Sequence, residues 1–138
     1  MQSNYSVQIE EFAERHFIKS FEKKYKSHWD ITLRAITAQL ERIDALLLTD
    51  KAEIICDIDG IRIVKTKFRI VKTKESAKSS GNRCIVAWHH EKQFVSVLLV
   101  YSKTDLSGHN ETAEWQRIVK ESYPQYRGLF NKSTNIRK

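Results

Sequence analysis

The chain has 138 residues with a net charge of +7, and 41% of them are hydrophobic, a content that excludes general disorder. No run of about 18 apolar residues occurs, so the sequence predicts no membrane-spanning helix. Two cysteines are too few for a disulfide framework. The amino-terminal stretch lacks the basic start and apolar core of a secretory signal, so we expect a cytoplasmic protein with reduced thiols.

Helical patterns fill the first third of the chain, after a short alternating segment at Ser6–Ile9 that predicts a strand. Residues 10–25 carry an apolar residue at every fourth position, which indicates one amphipathic helix. A second helix is predicted from an N-cap at Asp30, because apolar residues follow from Leu33 to Leu47 at spacings of three and four. We expect the two helices to pack as an antiparallel pair.

The middle of the chain predicts four strands of an antiparallel meander. The strands are expected at residues 53–58, 61–71, 83–89 and 94–103. Asp59-Gly60 is a dipeptide that favours a tight hairpin turn, and the small polar residues 75–82 predict a loop. Asn110 is the predicted cap of a third helix that runs to Ser122 and is ended by Pro124. Residues 1–124 therefore form one predicted domain, and 125–138 a basic, flexible tail.

These elements predict an α+β fold, with two amino-terminal helices on one face of a small antiparallel β-sheet and a carboxy-terminal helix. Val64, Thr66 and the residues that continue their alternation would face the helices. Lys65, Lys67 and Arg69 would then lie on the opposite face, which we expect to be free. Same-face residues two apart are about 6.6 Å from each other, a spacing that lets a row of cations follow a phosphate backbone.

The positive charge is concentrated in one segment, residues 62–83, which we call the basic window. It holds eight of the 24 basic residues and one of the 17 acidic ones, so the rest of the chain is balanced. Such a concentration is typical of a surface that binds a phosphate-rich partner. The alternative is an edge strand that its lysines protect against aggregation.

Several motifs in this order resemble the RelE/ParE/HigB toxin superfamily. They are the basic strand Lys65-Thr-Lys-Phe-Arg-Ile70, the Gly81-Asn82-Arg83 that opens the next strand, and Val100-Tyr-Ser-Lys103 near the end of a later strand. The resemblance covers roughly residues 7–122. It implies a RelE-like fold and a toxin of a type II toxin–antitoxin system that a partner antitoxin neutralises.

The resemblance to the RelE and HigB branches implies a ribosome-dependent endoribonuclease that inhibits translation by cutting mRNA. Cleavage in those branches proceeds by attack of the ribose 2′-hydroxyl on the adjacent phosphate. Arg83 matches the family arginine that contacts the scissile phosphate, and Lys103 lies in the strand segment that supplies further catalytic groups. Lys67, set among other cations, is the candidate base, and His109 is the candidate acid. The predicted RNA-binding residues are Lys65, Lys67, Arg69, Lys72, Lys74 and Lys78.

Two departures from the family pattern keep other functions open. Thr104 stands beside Lys103 where well-known RelE-type enzymes have an arginine, and His109 stands where many have a tyrosine or histidine before the last helix. The alternatives are a ParE-like toxin that inhibits gyrase without catalysis and a degenerate member that binds RNA without cutting it. His109 is equally well interpreted as a solvated loop histidine.

The sequence predicts no metal, no cofactor and no nucleotide site. His28, Cys84, His89 and His90 lack the spacing of a metal-ligand motif. The loop at residues 79–82 lacks the pattern of a phosphate-binding loop. We therefore expect a metal-independent reaction if the protein is an enzyme.

Overall fold

The computed structural model describes residues 4–74, 76–77, 80–106 and 110–132 of the chain. In chain order the elements are β1 (Ser6–Ile9), α1 (Glu11–Ala13), a π-helical turn (Glu14–Ile18), α2 (Lys19–Tyr25), α3 (Ser27–Glu41), α4 (Ile43–Leu46), β2 (Ala52–Ile58), β3 (Ile61–Lys67), β4 (Asn82–His89), β5 (Phe94–Ser102), a 3-10 turn (Lys103–Asp105), α5 (Glu111–Ser122) and α6 (Pro124–Lys132). The predicted α+β class is confirmed.

The five strands form one open, mixed sheet with the order β1-β5-β4-β3-β2. Strands β2 to β5 are the predicted antiparallel meander. The prediction of a wholly antiparallel sheet is wrong at one edge, because β1 pairs with β5 in parallel, with Ser6 opposite Phe94. A parallel pair needs a long crossover, and the helices and strands between β1 and β5 supply it.

The β2–β3 hairpin has the turn that its sequence predicts. Asp59 and Gly60 have φ angles of 55° and 78°, and they join the paired residues Ile58 and Ile61. Positive φ at both central residues is the geometry of a type I′ turn, which suits the twist of paired strands. The predicted hairpin is confirmed.

The helices before β2 share a buried cluster with one side of the sheet. Ile18, Phe21, Trp29, Ile36 and Leu40 lie in the same cluster as apolar side chains of β3, β4 and β5. Trp29 stacks on Phe21 with ring centroids 4.7 Å apart. The helix that carries Trp29 begins at Ser27 rather than at the predicted cap Asp30. The predicted second helix also ends early, because Arg42 leaves the helical conformation between α3 and α4.

The opposite side of the sheet carries a second core, so the expectation of a free face is wrong over most of its area. Ile63, Ile85 and Leu99 are buried there with Trp115 and Val119 of α5. The predicted cap of this helix is confirmed, since the side-chain oxygen of Asn110 accepts a hydrogen bond from the backbone N–H of Ala113 at 3.0 Å.

The predicted flexible tail is wrong for residues 125–132. Pro124 begins α6 rather than ending the fold, as its fixed φ allows at the first position of a helix. Tyr126, Leu129 and Phe130 of α6 are buried in the second core. Residues 133–138 lie outside the described part of the chain. Within that part, none of the helices is both long and apolar enough to cross a membrane.

Candidate nucleic-acid interface

Three strands bring polar side chains together at one end of the sheet. Lys67 of β3 is paired with Arg83 of β4, and Arg83 is paired with Tyr101 of β5. Directly paired residues project from the same face, so these three side chains form a row across the sheet. Lys65 lies on the same face as Lys67, two residues earlier along β3, as the alternation predicts. Arg69 follows the end of β3 and does not continue the strand.

A carboxylate from α5 joins this end of the sheet. Glu111 accepts a hydrogen bond of 2.6 Å from the Tyr101 hydroxyl, and its carboxylate lies 3.2 Å from Lys65 Nζ and 3.8 Å from Lys103 Nζ. We call these four residues the Glu111 cluster. The Lys65 side chain is 12% exposed and that of Glu111 is 20% exposed, whereas that of Lys103 is 51% exposed. The cluster is therefore a half-buried charge network with one cation at the surface.

The network shifts the pKa values of Glu111 and Tyr101. Burial raises the pKa of Glu111, but the hydrogen bond from Tyr101 and the charge of Lys65 outweigh burial and hold the pKa below its usual range. Burial and the adjacent carboxylate raise the pKa of Tyr101 far above that of a free phenol. At neutral pH Glu111 is therefore an ionised acceptor and Tyr101 a fixed donor. The Tyr101 side chain is fully buried.

Arg83, the predicted phosphate ligand, lies in the interior and is 3% exposed. Its Nη1 donates hydrogen bonds to the backbone oxygens of Asn82 at 2.9 Å and Ala77 at 3.5 Å. In this conformation the guanidinium braces the backbone that leads into β4. A direct phosphate contact therefore stays a prediction, and it requires the side chain to become exposed.

The exposed cations of the basic window lie beside this row. Arg69, Lys72 and Lys74 are exposed, and Lys67 is partly exposed. Arg69 Nη1 donates a hydrogen bond of 3.2 Å to the backbone oxygen of Thr73. Two further predicted residues, Lys78 and His109, lie outside the described residues.

Part of the basic window is neutralised within the fold. Arg62 pairs with Asp57 at 3.0 Å and lies over the ring of Trp88 at 4.9 Å from its centroid. Lys65 pairs with Glu111. By contrast, Lys67 and Arg69 form no ion pair with any residue that the structure describes. The charge that remains for a partner is thus at the end of β3 and in the segment after it.

A cleft of about 390 Å³ opens between α3 and the end of β3. We call it the α3–β3 cleft. Its lining residues include the basic residues Lys51, Lys67 and Arg69 and the polar residues Thr32 and Gln39. Lys51 comes before β2, and its backbone oxygen accepts a hydrogen bond of 2.8 Å from the N–H of Lys67. Two lysines that are 16 positions apart in the sequence are thereby neighbours.

Sequence reasoning missed two members of this interface. Glu111 follows the predicted cap Asn110, and an acid in the first turn of a helix is common for reasons of capping alone, so nothing singled it out. Lys51 stands outside the basic window. Its only signal was its position two residues before a predicted strand that pairs with the basic one.

No family model, no curated protein and no solved structure matches this chain. Among the described residues, no group of three or more His, Cys, Asp or Glu side chains is placed to hold a metal ion. The fold and the site together define an α+β protein in which one end of a mixed sheet gathers basic side chains around the partly buried carboxylate of Glu111.

Proposed function

We propose that this protein is a RelE-type toxin, a ribosome-dependent endoribonuclease that cuts mRNA by 2′-hydroxyl attack on the adjacent phosphate. The observation that carries the proposal is the row Lys67, Arg83 and Tyr101 across three strands, with Lys103 and Glu111 at the same end. The element order also supports a RelE-like fold, since a first strand, a helical segment, an antiparallel meander and a carboxy-terminal helix follow one another as the resemblance requires.

The chemistry that this site would perform needs a proton acceptor, a proton donor and positive charge. Lys67, the base that the sequence predicts, or the ionised Glu111 takes the proton of the 2′-hydroxyl, whose oxygen then attacks phosphorus. The bond from phosphorus to the 5′-oxygen breaks, and that oxygen takes a proton from Lys103 or His109. The products are a 2′,3′-cyclic phosphate and a 5′-hydroxyl. Exposed cations stabilise the negative charge that develops on the phosphate oxygens, an effect worth about 3 kcal/mol per well-placed donor.

Such a toxin acts in the cytoplasm, where ribosomes translate mRNA, and it requires an antitoxin. The partner is a protein that covers or neutralises the exposed cations that follow β3. Expression of the chain alone then inhibits growth, and co-expression with the partner restores it.

A second candidate function is a binding toxin without catalysis, either a ParE-like gyrase inhibitor or an RNA-binding member. The burial of Arg83 and the neutralisation of Lys65 by Glu111 favour it, because both reduce the charge that is available for a transition state. The two functions differ in whether transcripts are cut.

The test is induction of the chain in growing bacterial cells, with new transcript ends mapped inside translated codons. The proposal expects growth arrest with cuts for the wild type, and a loss of cuts of at least about a hundredfold for Lys103→Ala and Arg83→Ala. Lys92→Ala is the matched control, because Lys92 is an exposed lysine in the turn at the other end of the sheet. A thermal melt of each variant separates unfolding from loss of chemistry.

Growth arrest without cuts contradicts the nuclease and supports the binding toxin. Cuts that persist in both Lys103→Ala and Arg83→Ala place the chemistry elsewhere and refute the proposed site.

A further inference from the structure

We propose that the α3–β3 cleft is a binding site for the phosphate backbone of single-stranded RNA, separate from the Glu111 cluster. The inference rests on the proposed function, since it names a path for the RNA beyond the bond that is cut. The cleft lies where α3 passes the end of β3, so the RNA would leave the sheet along α3 rather than continue over the face that α5 covers.

The first support is uncompensated charge. Lys51, Lys67 and Arg69 all line the cleft, and none of them forms an ion pair with a described residue. No carboxylate is among the described residues that line it. By contrast, Lys65 and Lys103 at this end of the sheet, and Arg62 at the other end, each have an acidic neighbour within 4 Å. Three basic residues that line one concave surface, with no acidic partner among the described residues, favour a ligand with several negative charges.

The second support is geometry. The backbone hydrogen bond from Lys67 N–H to the Lys51 oxygen fixes these two residues side by side on neighbouring chain segments. Arg69 lies two positions beyond Lys67 along the chain. Proteins follow the phosphates of a single strand with a basic groove of this kind.

The third support is the polar character of the wall opposite the cations. Thr32 is buried and shapes this wall rather than binding a ligand, because its hydroxyl donates to the His28 backbone oxygen at 2.7 Å and accepts from the Val71 N–H at 2.9 Å. Gln39 adds an amide that can donate to phosphate or ribose oxygens. The cleft therefore offers both charge and hydrogen bonds, as an RNA backbone requires.

The experiment is fluorescence anisotropy of the purified full chain with a labelled 12-nucleotide oligouridine, from about 50 to 300 mM salt. Each phosphate contact contributes about 0.7 to the slope of log K against log salt for a single strand. Lys51→Ala is therefore expected to weaken binding about fivefold at 0.1 M salt and to lower the slope by about 0.7. Lys51 is exposed and lies outside the Glu111 cluster, so this variant tests the cleft without touching the proposed chemistry. The matched control, Lys92→Ala, is expected to bind as the wild type does.

Wild-type affinity and slope in Lys51→Ala overturn the proposal. It is also overturned if a polyglutamate peptide of equal charge binds as tightly as the RNA and loses the same affinity in Lys51→Ala, since the cleft would then be a docking surface for an acidic protein. Failure of the proposed function gives a different result, namely RNA that binds in the cleft but transcripts that are not cut in cells.

Discussion

Removal of the Glu111 carboxylate is the perturbation that bears most directly on the half-buried network. In Glu111→Ala the Tyr101 hydroxyl, on a side chain that is fully buried, loses its acceptor. A buried hydroxyl without a partner costs about 1–3 kcal/mol, and an acid in the first turn of a helix contributes about 0.3–1 kcal/mol. Lys65 also loses its counterion. The lost pair with the more exposed Lys103 adds little to the destabilisation. We expect the free energy of unfolding to fall by about 3 kcal/mol.

The assay is urea unfolding followed by circular dichroism, with equal m-values required for the comparison. Glu111→Gln removes the charge but keeps an acceptor for the Tyr101 hydroxyl. Its free energy of unfolding is therefore expected to fall less than that of the alanine variant. Glu114→Ala, in the same turn of α5, is the matched control: it removes a first-turn acid that pairs with Arg117 and not with a buried hydroxyl, so the free energy of unfolding should fall clearly less than in Glu111→Ala. A loss below about 0.5 kcal/mol for Glu111→Ala would refute the reasoning, because that is the range of ordinary surface substitutions.

The same carboxylate makes stability depend on pH. Its pKa is lower in the folded protein than in the unfolded chain, so the unfolded state binds protons first as the pH falls. The stabilisation is complete above the ordinary glutamate pKa of about 4.3, and it is lost as the pH falls through the lower folded value. In Glu111→Gln the decline over this window should be shallower. An unchanged decline would contradict the assigned network.

Three further predictions concern the rest of the fold. Phe130→Ala should lower the free energy of unfolding by about 3–5 kcal/mol in a urea titration, because this α6 side chain is buried against Trp115; a negligible loss would mean that α6 is not docked. Burial and Lys92 lower the pKa of His89 in the folded protein. The neutral imidazole should therefore stabilise the fold above about pH 6.5, and this stabilisation should be lost as the pH falls through the lower folded pKa. The same pH dependence of unfolding in His89→Gln as in the wild type would contradict this. Burial raises the pKa of Cys56 to about 11 and that of Cys84 to about 12, so a thiol reagent should label neither until the chain unfolds, and rapid labelling at neutral pH would refute their burial.

Local patterns predicted the meander because its signals are local. The alternation of β3 and the Asp59-Gly60 turn each depend on a few adjacent residues, and both have the predicted geometry. The cap at Asn110 is local for the same reason.

The errors arise where a contact between distant segments decides the structure. The segment after Pro124 has basic residues that suggest a solvated tail, but Tyr126 donates or accepts a hydrogen bond of 2.8 Å with His89, 37 residues earlier. No property of either segment alone indicates that pairing. Burial of the aromatic residues of α6 on the sheet stabilises this helix. The helix then covers part of the face that the alternation of β3 predicted to be free for a ligand.

The candidate site divides in the same way. Most of its cations belong to the basic window, but their pairing differs because different residues lie beside them in the fold. Lys65 is paired by a carboxylate 46 positions away, whereas Lys67 lies next to Lys51 and has no counterion among the described residues. The family resemblance predicts that Arg83 contacts a phosphate, whereas its position between paired residues of β3 and β5 leaves it buried in this structure.

The most direct test of the proposed function is cleavage of a defined mRNA on purified ribosomes with the purified chain. The mRNA is synthesised twice, once with ribose throughout and once with a single 2′-deoxynucleotide on the 5′ side of the mapped cut. The proposal predicts a 2′,3′-cyclic phosphate end on the all-ribose message and no cut at the deoxy position. Equal cleavage of both messages, or no cleavage of either, would contradict it.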